Sequence, residues 1–111
     1  MEIRCEVIAG CGNASKAQDS AWGRRVLGDL KKLMGWKRIT LGTLNVRVLQ
    51  KVNRLKPPIP AVLRFRKVSV PVVIVRHRVS ILELMAQRHL RTRYKLSDGD
   101  RGVVVIGEED S

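Results

Sequence analysis

Residues 61–76, with the sequence AVLRFRKVSVPVVIVR, decide the fold class. They are rich in Val and Ile, the β-branched residues that strands favour. A break near residues 67–71, where Pro71 stands, divides the stretch and predicts two strands. The segment KPPIP at residues 56–60 comes before them and predicts a rigid connection. The centre of the chain is therefore predicted to be β-structure.

The chain before this centre alternates strands with one helix. Apolar residues at every second position predict strands over residues 2–9 and 43–48. Apolar residues at helical spacing predict an amphipathic helix over residues 20–34, which Gly35 ends.

The chain after this centre predicts a second helix, a turn and a last strand. Apolar residues at helical spacing predict the helix over residues 80–91, and SDGD at residues 97–100 predicts the turn. VVVI at residues 103–106 predicts a buried strand. About five short strands and two helices predict a mainly β fold, a compact barrel with two appended helices. We expect residues 1–107 to form one domain and residues 108–111 an acidic tail.

The charge of the chain is strongly basic and unevenly distributed. Lys and Arg number 22 against 10 Asp and Glu, which gives a formal net charge of +12. Thirteen of the basic residues lie within residues 21–70, together with a single acidic residue. Such a surface attracts nucleotides, nucleic acids and other polyanions. Aromatic residues make up only 4% of the chain, which disfavours recognition of single strands by stacking.

Several classes of protein are excluded by what the sequence contains. The two cysteines, Cys5 and Cys11, cannot build a disulfide scaffold or a four-cysteine zinc site, so we expect ordinary buried thiols. No run approaches the roughly 20 apolar residues that span a bilayer, and the first residues do not resemble a signal peptide. We expect a cytoplasmic monomer without membrane association.

Thr43 and Asn45 are candidate metal ligands. They lie two residues apart on a predicted strand, so their oxygens point the same way. Two neutral oxygens suit Mg²⁺ when phosphates and waters complete its shell. The alternative is a glycine turn followed by a β-branched residue and an unrelated Asn, and spacing by itself favours that alternative.

Two further segments are candidates for binding phosphate. Gly10 and Gly12 follow the first strand, where glycine lets backbone N–H groups converge on an anion. Most such pairs are simply turns. Arg88, His89 and Arg91 cluster at the end of the second predicted helix, where basic side chains also favour the helix C-terminus without any ligand.

Glu83 is the only acidic residue between Asp29 and Asp98. It stands three residues after Ser80, so a capping box at the start of the second helix would explain it. A solitary carboxylate in a basic segment is equally suited to bind or deprotonate a hydroxyl group in a phosphotransferase. The residues themselves leave both interpretations open.

Taken in order, five segments resemble the archaeal CTP-dependent riboflavin kinases. They are EVIAGCG at residues 6–12, LGTLNV at 41–46, ELMA at 83–86, LR at 90–91 and YKLSDGD at 94–100. The resemblance covers most of the chain, and GTLN and LSDGD are its most specific parts. It implies a six-stranded cradle-loop barrel that transfers the γ-phosphate of CTP to the ribityl 5′-hydroxyl of riboflavin, giving FMN and CDP.

The resemblance also implies a role for each candidate residue. Thr43 and Asn45 would hold Mg²⁺, and Glu83 would contact the ribityl end of the flavin and take part in catalysis. The remaining candidates would bind the cytidine nucleotide: Gly10, Cys11, Gly12, Asn13, Arg88, His89, Leu90 and Arg91. A second hypothesis is a basic nucleic-acid-binding barrel that has lost kinase activity, which accounts better for the net charge of +12. A third is an inactive flavin- or nucleotide-binding protein.

Overall fold

This computed structural model describes residues 1–9, 21–40 and 43–107. Six strands and two helices follow one another along the chain: β1 (Glu2–Ile8), α1 (Ala21–Met34), β2 (Leu44–Val48), β3 (Ile59–Phe65), β4 (Val68–Arg78), β5 (Ile81–Met85), α2 (Leu90–Tyr94) and β6 (Arg101–Val105). The strands form a closed antiparallel barrel in the order β1-β2-β5-β4-β3-β6. The predicted mainly β barrel with two helices is confirmed.

The core lies inside the barrel and follows from the alternation of the strands. In β1 the side chains of Ile3, Cys5 and Val7 are buried, while those between them face outward. Cys5 is therefore the buried thiol that the sequence predicts, whereas Cys11 lies outside the described residues. Burial raises the pKa of the Cys5 thiol to about 11, and a hydrogen bond with the backbone of Gly102 offsets part of this rise.

Helix α1 covers part of the outer face of the barrel. Leu30 is buried against Val73 of β4 and Met85 of β5. The helix ends as predicted, because Gly35 adopts the left-handed conformation that glycine tolerates best. None of the helices that the structure describes is long and apolar enough to cross a membrane.

The predicted break near residues 67–71 is shorter than expected. The chain turns at Arg66 and Lys67, and Pro71 lies inside β4, opposite Val62 of β3. Strand β5 pairs with β4 only from Val73 onward, so position 71 has no partner strand on that side. A missing N–H is tolerated at such a position.

The predicted helix over residues 80–91 is wrong. Residues 81–85 form β5, and the helix that follows is the short α2, which begins at Leu90. Leu82 and Leu84 face the barrel core, while Met85 packs beneath α1 on the outer face. A strand that buries apolar residues on both faces loses its alternation, so its pattern is easily taken for that of a helix.

Candidate active site

The register of the sheet brings together candidate residues that lie far apart in the sequence. Asn45 of β2 pairs with Glu83 of β5, and Glu83 pairs in turn with Arg76 of β4. Residues paired in this way have Cα atoms about 4.5–5.5 Å apart and side chains on the same face of the sheet. All three side chains therefore lie side by side on the outer face of the barrel.

Thr43 and Asn45 meet as the spacing predicts. The Thr43 hydroxyl donates a hydrogen bond to Oδ1 of Asn45 over 3.3 Å. Asn45 is buried and Thr43 is half-buried, so these oxygens are held rather than freely rotating. Adjacent ligands of an octahedral Mg²⁺ bound at about 2.1 Å lie about 3.0 Å apart, so this pair suits two neighbouring positions around the ion.

The donor set is incomplete for a metal held by protein alone. Among the described residues, no three His, Cys, Asp or Glu side chains cluster as metal ligands would. Two neutral oxygens suit an ion that reaches the site with a nucleotide, because Mg²⁺ keeps waters and binds phosphate oxygens readily.

Glu83 is nearly buried although it lies on the outer face, with 8% of the residue exposed. Its Oε2 atom is 3.5 Å from Nε of Arg78 and 3.8 Å from Nη1 of Arg76. Within the described part of the chain, Oε2 has no hydrogen-bond partner. A buried carboxylate oxygen that lacks a donor is suited to accept a hydrogen bond from a ligand.

The capping interpretation of Glu83 is wrong. Residues 81–85 form a strand, so there is no helix start at Ser80 for Glu83 to cap. What remains is a choice between a group that binds a ligand and a group that only pairs with the two arginines.

A shallow pocket lies at one end of the barrel, and Thr43 is part of its wall. Thr40, Thr43, Arg88, His89 and Arg91 supply its polar wall, and the core residues Leu44 and Leu84 lie beneath them. The pocket encloses about 20 Å³, little more than a water molecule needs. It is large enough to receive an oxygen of a phosphate group but not a whole nucleotide.

Thr40 is a pocket residue that no sequence pattern indicates. Its hydroxyl donates to the carbonyl of Gln87 over 2.7 Å, and its N–H donates to the carbonyl of Ala86 over 2.9 Å. These bonds fasten the chain after α1 to the end of β5. No spacing within the sequence indicates such a contact.

The basic residues Arg88 and His89 lie directly before α2, and Arg91 lies in its first turn. The predicted position at the C-terminus of a helix is therefore wrong for Arg88 and His89. His89 is the N-cap, and its Nδ1 accepts a hydrogen bond from the N–H of Thr92 over 3.3 Å. Leu90 is buried in the core, anchors α2 and also lines the pocket with its apolar side chain.

Arg91 links three parts of the fold. Its guanidinium donates to the carbonyl of Ile8 at the end of β1 over 2.8 Å, and it also pairs with Asp98 in the turn before β6. Arg91 therefore lies where the chain leaves β1 for residues 10–20. Gly10, Cys11, Gly12 and Asn13, the predicted nucleotide loop, lie outside the described residues.

The arginines of β4 are site residues that the sequence analysis missed. Arg76 and Arg78 alternate with His77 at the end of the Val-rich strand, and both approach Glu83. Two basic residues at positions i and i+2 of a strand share one face, which is the signal that could have found them.

No protein-family model matches this chain, and no curated protein has a significantly similar sequence.

Proposed function

We propose that this chain is a CTP-dependent riboflavin kinase, which transfers the γ-phosphate of CTP to the ribityl 5′-hydroxyl of riboflavin with Mg²⁺. The observation that supports a phosphoryl-transfer site is the register pairing of Asn45 with Glu83, while CTP and riboflavin are what the resemblance implies. The pairing sets an oxygen pair suited to Mg²⁺ and phosphate beside a carboxylate suited to a hydroxyl group. Phosphoryl transfer needs those two groups as neighbours, because donor and acceptor must lie in line.

The donor side of the proposed site is built by β2 and the pocket. Thr43 and Asn45 would hold Mg²⁺, which supplies neutralisation of the phosphate charge when it is bound. Arg88 and Arg91 offer guanidinium donors for phosphate oxygens, and Arg91 lies beside the end of β1. Because the pocket is small, the cytidine part of the nucleotide would extend from it along the surface.

The acceptor side is built by Glu83. Its Oε2 would accept the hydrogen bond of the ribityl hydroxyl and so orient that oxygen toward the γ-phosphorus atom. As the new P–O bond forms, the bond between the γ-phosphorus and the bridging oxygen breaks and CDP leaves. The hydroxyl proton is released to Glu83 or to water. Arg76 and Arg78 hold the carboxylate in place through their ion pairs.

The test is a direct assay for FMN. The purified chain is mixed with riboflavin and Mg²⁺ in four reactions, one with each nucleoside triphosphate, and products are separated by chromatography. We expect FMN, with CTP as the preferred donor. Absence of FMN in all four reactions would contradict the proposal and favour a barrel that binds ligands without catalysis.

A further inference from the structure

A row of five residues runs around the outside of the closed barrel, on five of its six strands. In register order they are Arg101 of β6, Glu6 of β1, Arg47 of β2, Ile81 of β5 and Arg78 of β4. We name this set the arginine row. Paired residues of antiparallel strands share a face, and the neighbours of Glu6 in β1, Cys5 and Val7, face the core, so the row faces outward.

The guanidinium groups of the row are exposed, while its carboxylate lies lower. The side chains of Arg101, Arg47 and Arg78 are 77%, 54% and 47% exposed, against 22% for Glu6. Arg47 is 3.2 Å from Glu6, and Arg101 is 4.0 Å from it. Glu6 therefore pairs with two arginines, and its single negative charge does not neutralise their two positive charges.

Neighbouring rows extend this charge. Arg4 pairs with Val103, which pairs in turn with Arg64, and Arg76 lies beyond Glu83 on the other side. Arg64 is paired with Glu2, and because the barrel is closed, side chains on distant strands point in different directions. The basic surface that one partner can contact therefore centres on Arg47, Arg4 and Arg101, which lie on the neighbouring strands β2, β1 and β6. A kinase that binds one nucleotide and one flavin has no use for cations on β1 and β6, so the proposed function leaves this face unexplained.

The spacing of the row suits the backbone of a duplex. Arg47 and Arg101 flank β1 and stand two strands apart, about 10 Å between their Cα atoms at the usual strand separation. The major groove of a duplex is about 12 Å wide, so arginines at this spacing are able to reach phosphates on both of its sides.

The positions of the aromatic side chains disfavour a single strand as the partner. Single strands are bound through aromatic stacking, but the described aromatic side chains, Trp36, Phe65 and Tyr94, pack in the hydrophobic clusters and not in the row. An anionic membrane would attract the same cations, so binding to lipid vesicles is one of the outcomes that the test distinguishes.

We propose that the arginine row binds the phosphate backbone of double-stranded nucleic acid without reading its sequence. The proposal does not depend on kinase activity, because Arg47 and Arg101 lie outside the proposed active site.

The test compares two charge-matched double variants in duplex binding. R47Q/R101Q removes two cations from the row, and K37Q/R38Q removes two exposed cations that follow α1. Binding of a duplex of about 20 base pairs is followed by fluorescence anisotropy across a salt series. Each phosphate contact contributes about −0.9 to the slope of log K against log salt. We expect R47Q/R101Q to reduce the slope by about 1.8 and K37Q/R38Q to leave it unchanged.

A third variant makes the test independent of lost stability. E6Q removes the carboxylate beneath Arg47 and Arg101, so we expect it to bind the duplex more tightly than wild type. Thermal unfolding verifies that each variant is folded. If R47Q/R101Q does not fold, the duplex affinity of E6Q decides between the two outcomes. Equal slopes for the two double variants would overturn the proposal. Weaker binding by E6Q, or an equal preference for a single strand or for anionic lipid vesicles, would overturn it as well.

Discussion

Glu83 illustrates how one residue gains a chemical role from its neighbours. It lies on the outward face of β5, yet it is nearly buried, and its Oε2 lacks a hydrogen-bond donor in the described part of the chain. Two arginines at 3.5 and 3.8 Å offset its charge without satisfying that oxygen. An unsatisfied carboxylate oxygen is costly unless a ligand completes it.

We expect E83Q to lower FMN formation by about 10²–10⁴-fold, the range typical for loss of a general base, while the chain stays folded. The matched control is E6Q, because Glu6 is also a carboxylate between two arginines of the same sheet. E6Q should retain the wild-type rate. Equal rates for E83Q and wild type would show that Glu83 serves only as an ion-pair partner of Arg76 and Arg78.

Thr43 tests the metal side of the site. T43V removes one oxygen and keeps the shape of the side chain, and the hydroxyl it removes is bonded only to Asn45 among the described residues. We expect nucleotide binding, measured by calorimetry at several Mg²⁺ concentrations, to weaken and to require more Mg²⁺. The melting temperature should change little. Unchanged binding at every Mg²⁺ concentration would remove Thr43 from the metal site.

Cys5 makes the stability of the fold depend on pH. Its pKa is about 11 in the folded chain, against 9.0 for an ordinary thiol, so the native state keeps a proton that the unfolded state loses between these values. The free energy of unfolding should therefore fall as pH rises from 9 to 11. We expect C5A to be less stable than wild type at pH 7 and to lose less stability over this range. Urea unfolding measures both variants from pH 9 to 11. An equal loss of unfolding free energy in C5A and wild type would contradict the raised pKa of Cys5.

At the scale of elements, the sequence predicts strands whose buried and exposed residues alternate. It does not predict a strand that is buried on both faces. Strand β1 is recognisable because Ile3, Cys5 and Val7 face the core and their neighbours face outward. Strand β5 is not, because α1 covers Met85 on the face that usually meets water. That cover comes from a helix about fifty residues earlier in the chain. No local pattern carries this information.

The candidate site was predictable to the same degree. Thr43 and Asn45 were found because two residues apart on a strand is a local relation. The pairing of Asn45 with Glu83 follows from the register of β2 with β5, which no spacing within either segment fixes. Arg76 and Arg78 were missed for the same reason, since their role depends on a neighbouring strand.

Two glycines give opposite predictions for the elements that contain them. Gly28 lies within α1, and a Cβ added there meets nothing within 4 Å, so G28A should stabilise the chain by about 0.5–1 kcal/mol through helix propensity. Gly102 lies in β6, and a Cβ there would stand 2.7 Å from the carbonyl oxygen of Arg64 in β3. G102A should therefore destabilise the barrel by about 1–3 kcal/mol, because the backbone of β3 has to shift. Urea unfolding measures both, and the same sign for both variants would contradict the described packing.

At the scale of the whole molecule, the closed sheet and the charge both act against self-association. Each strand of the barrel has a partner on both sides, so the described sheet offers no edge to a second copy. Of the exposed large apolar side chains among the described residues, Leu33 lies on α1 and Met1 precedes β1, while Leu49 and Val79 lie in neighbouring turns at one end of the barrel. A net charge of +12 adds repulsion between copies.

We therefore expect a monomer of 12.5 kDa in sedimentation experiments at low and high salt. High salt is the sharper condition, because it screens the repulsion and leaves the closed sheet as the remaining barrier. A dimer that forms at high salt would show that a surface other than a sheet edge joins two copies.

The position of β6 between β1 and β3 constrains how this chain is made. Glu2 pairs with Val105, so a residue of the first strand cannot pair until one about a hundred residues later in the chain has been translated. Until then β1 and β3 each have an open side, which invites pairing with other nascent chains. The barrel cannot close progressively during synthesis. We therefore expect the barrel to fold only after β6 has left the ribosome. Until then we expect chaperones to shield the unfinished chain.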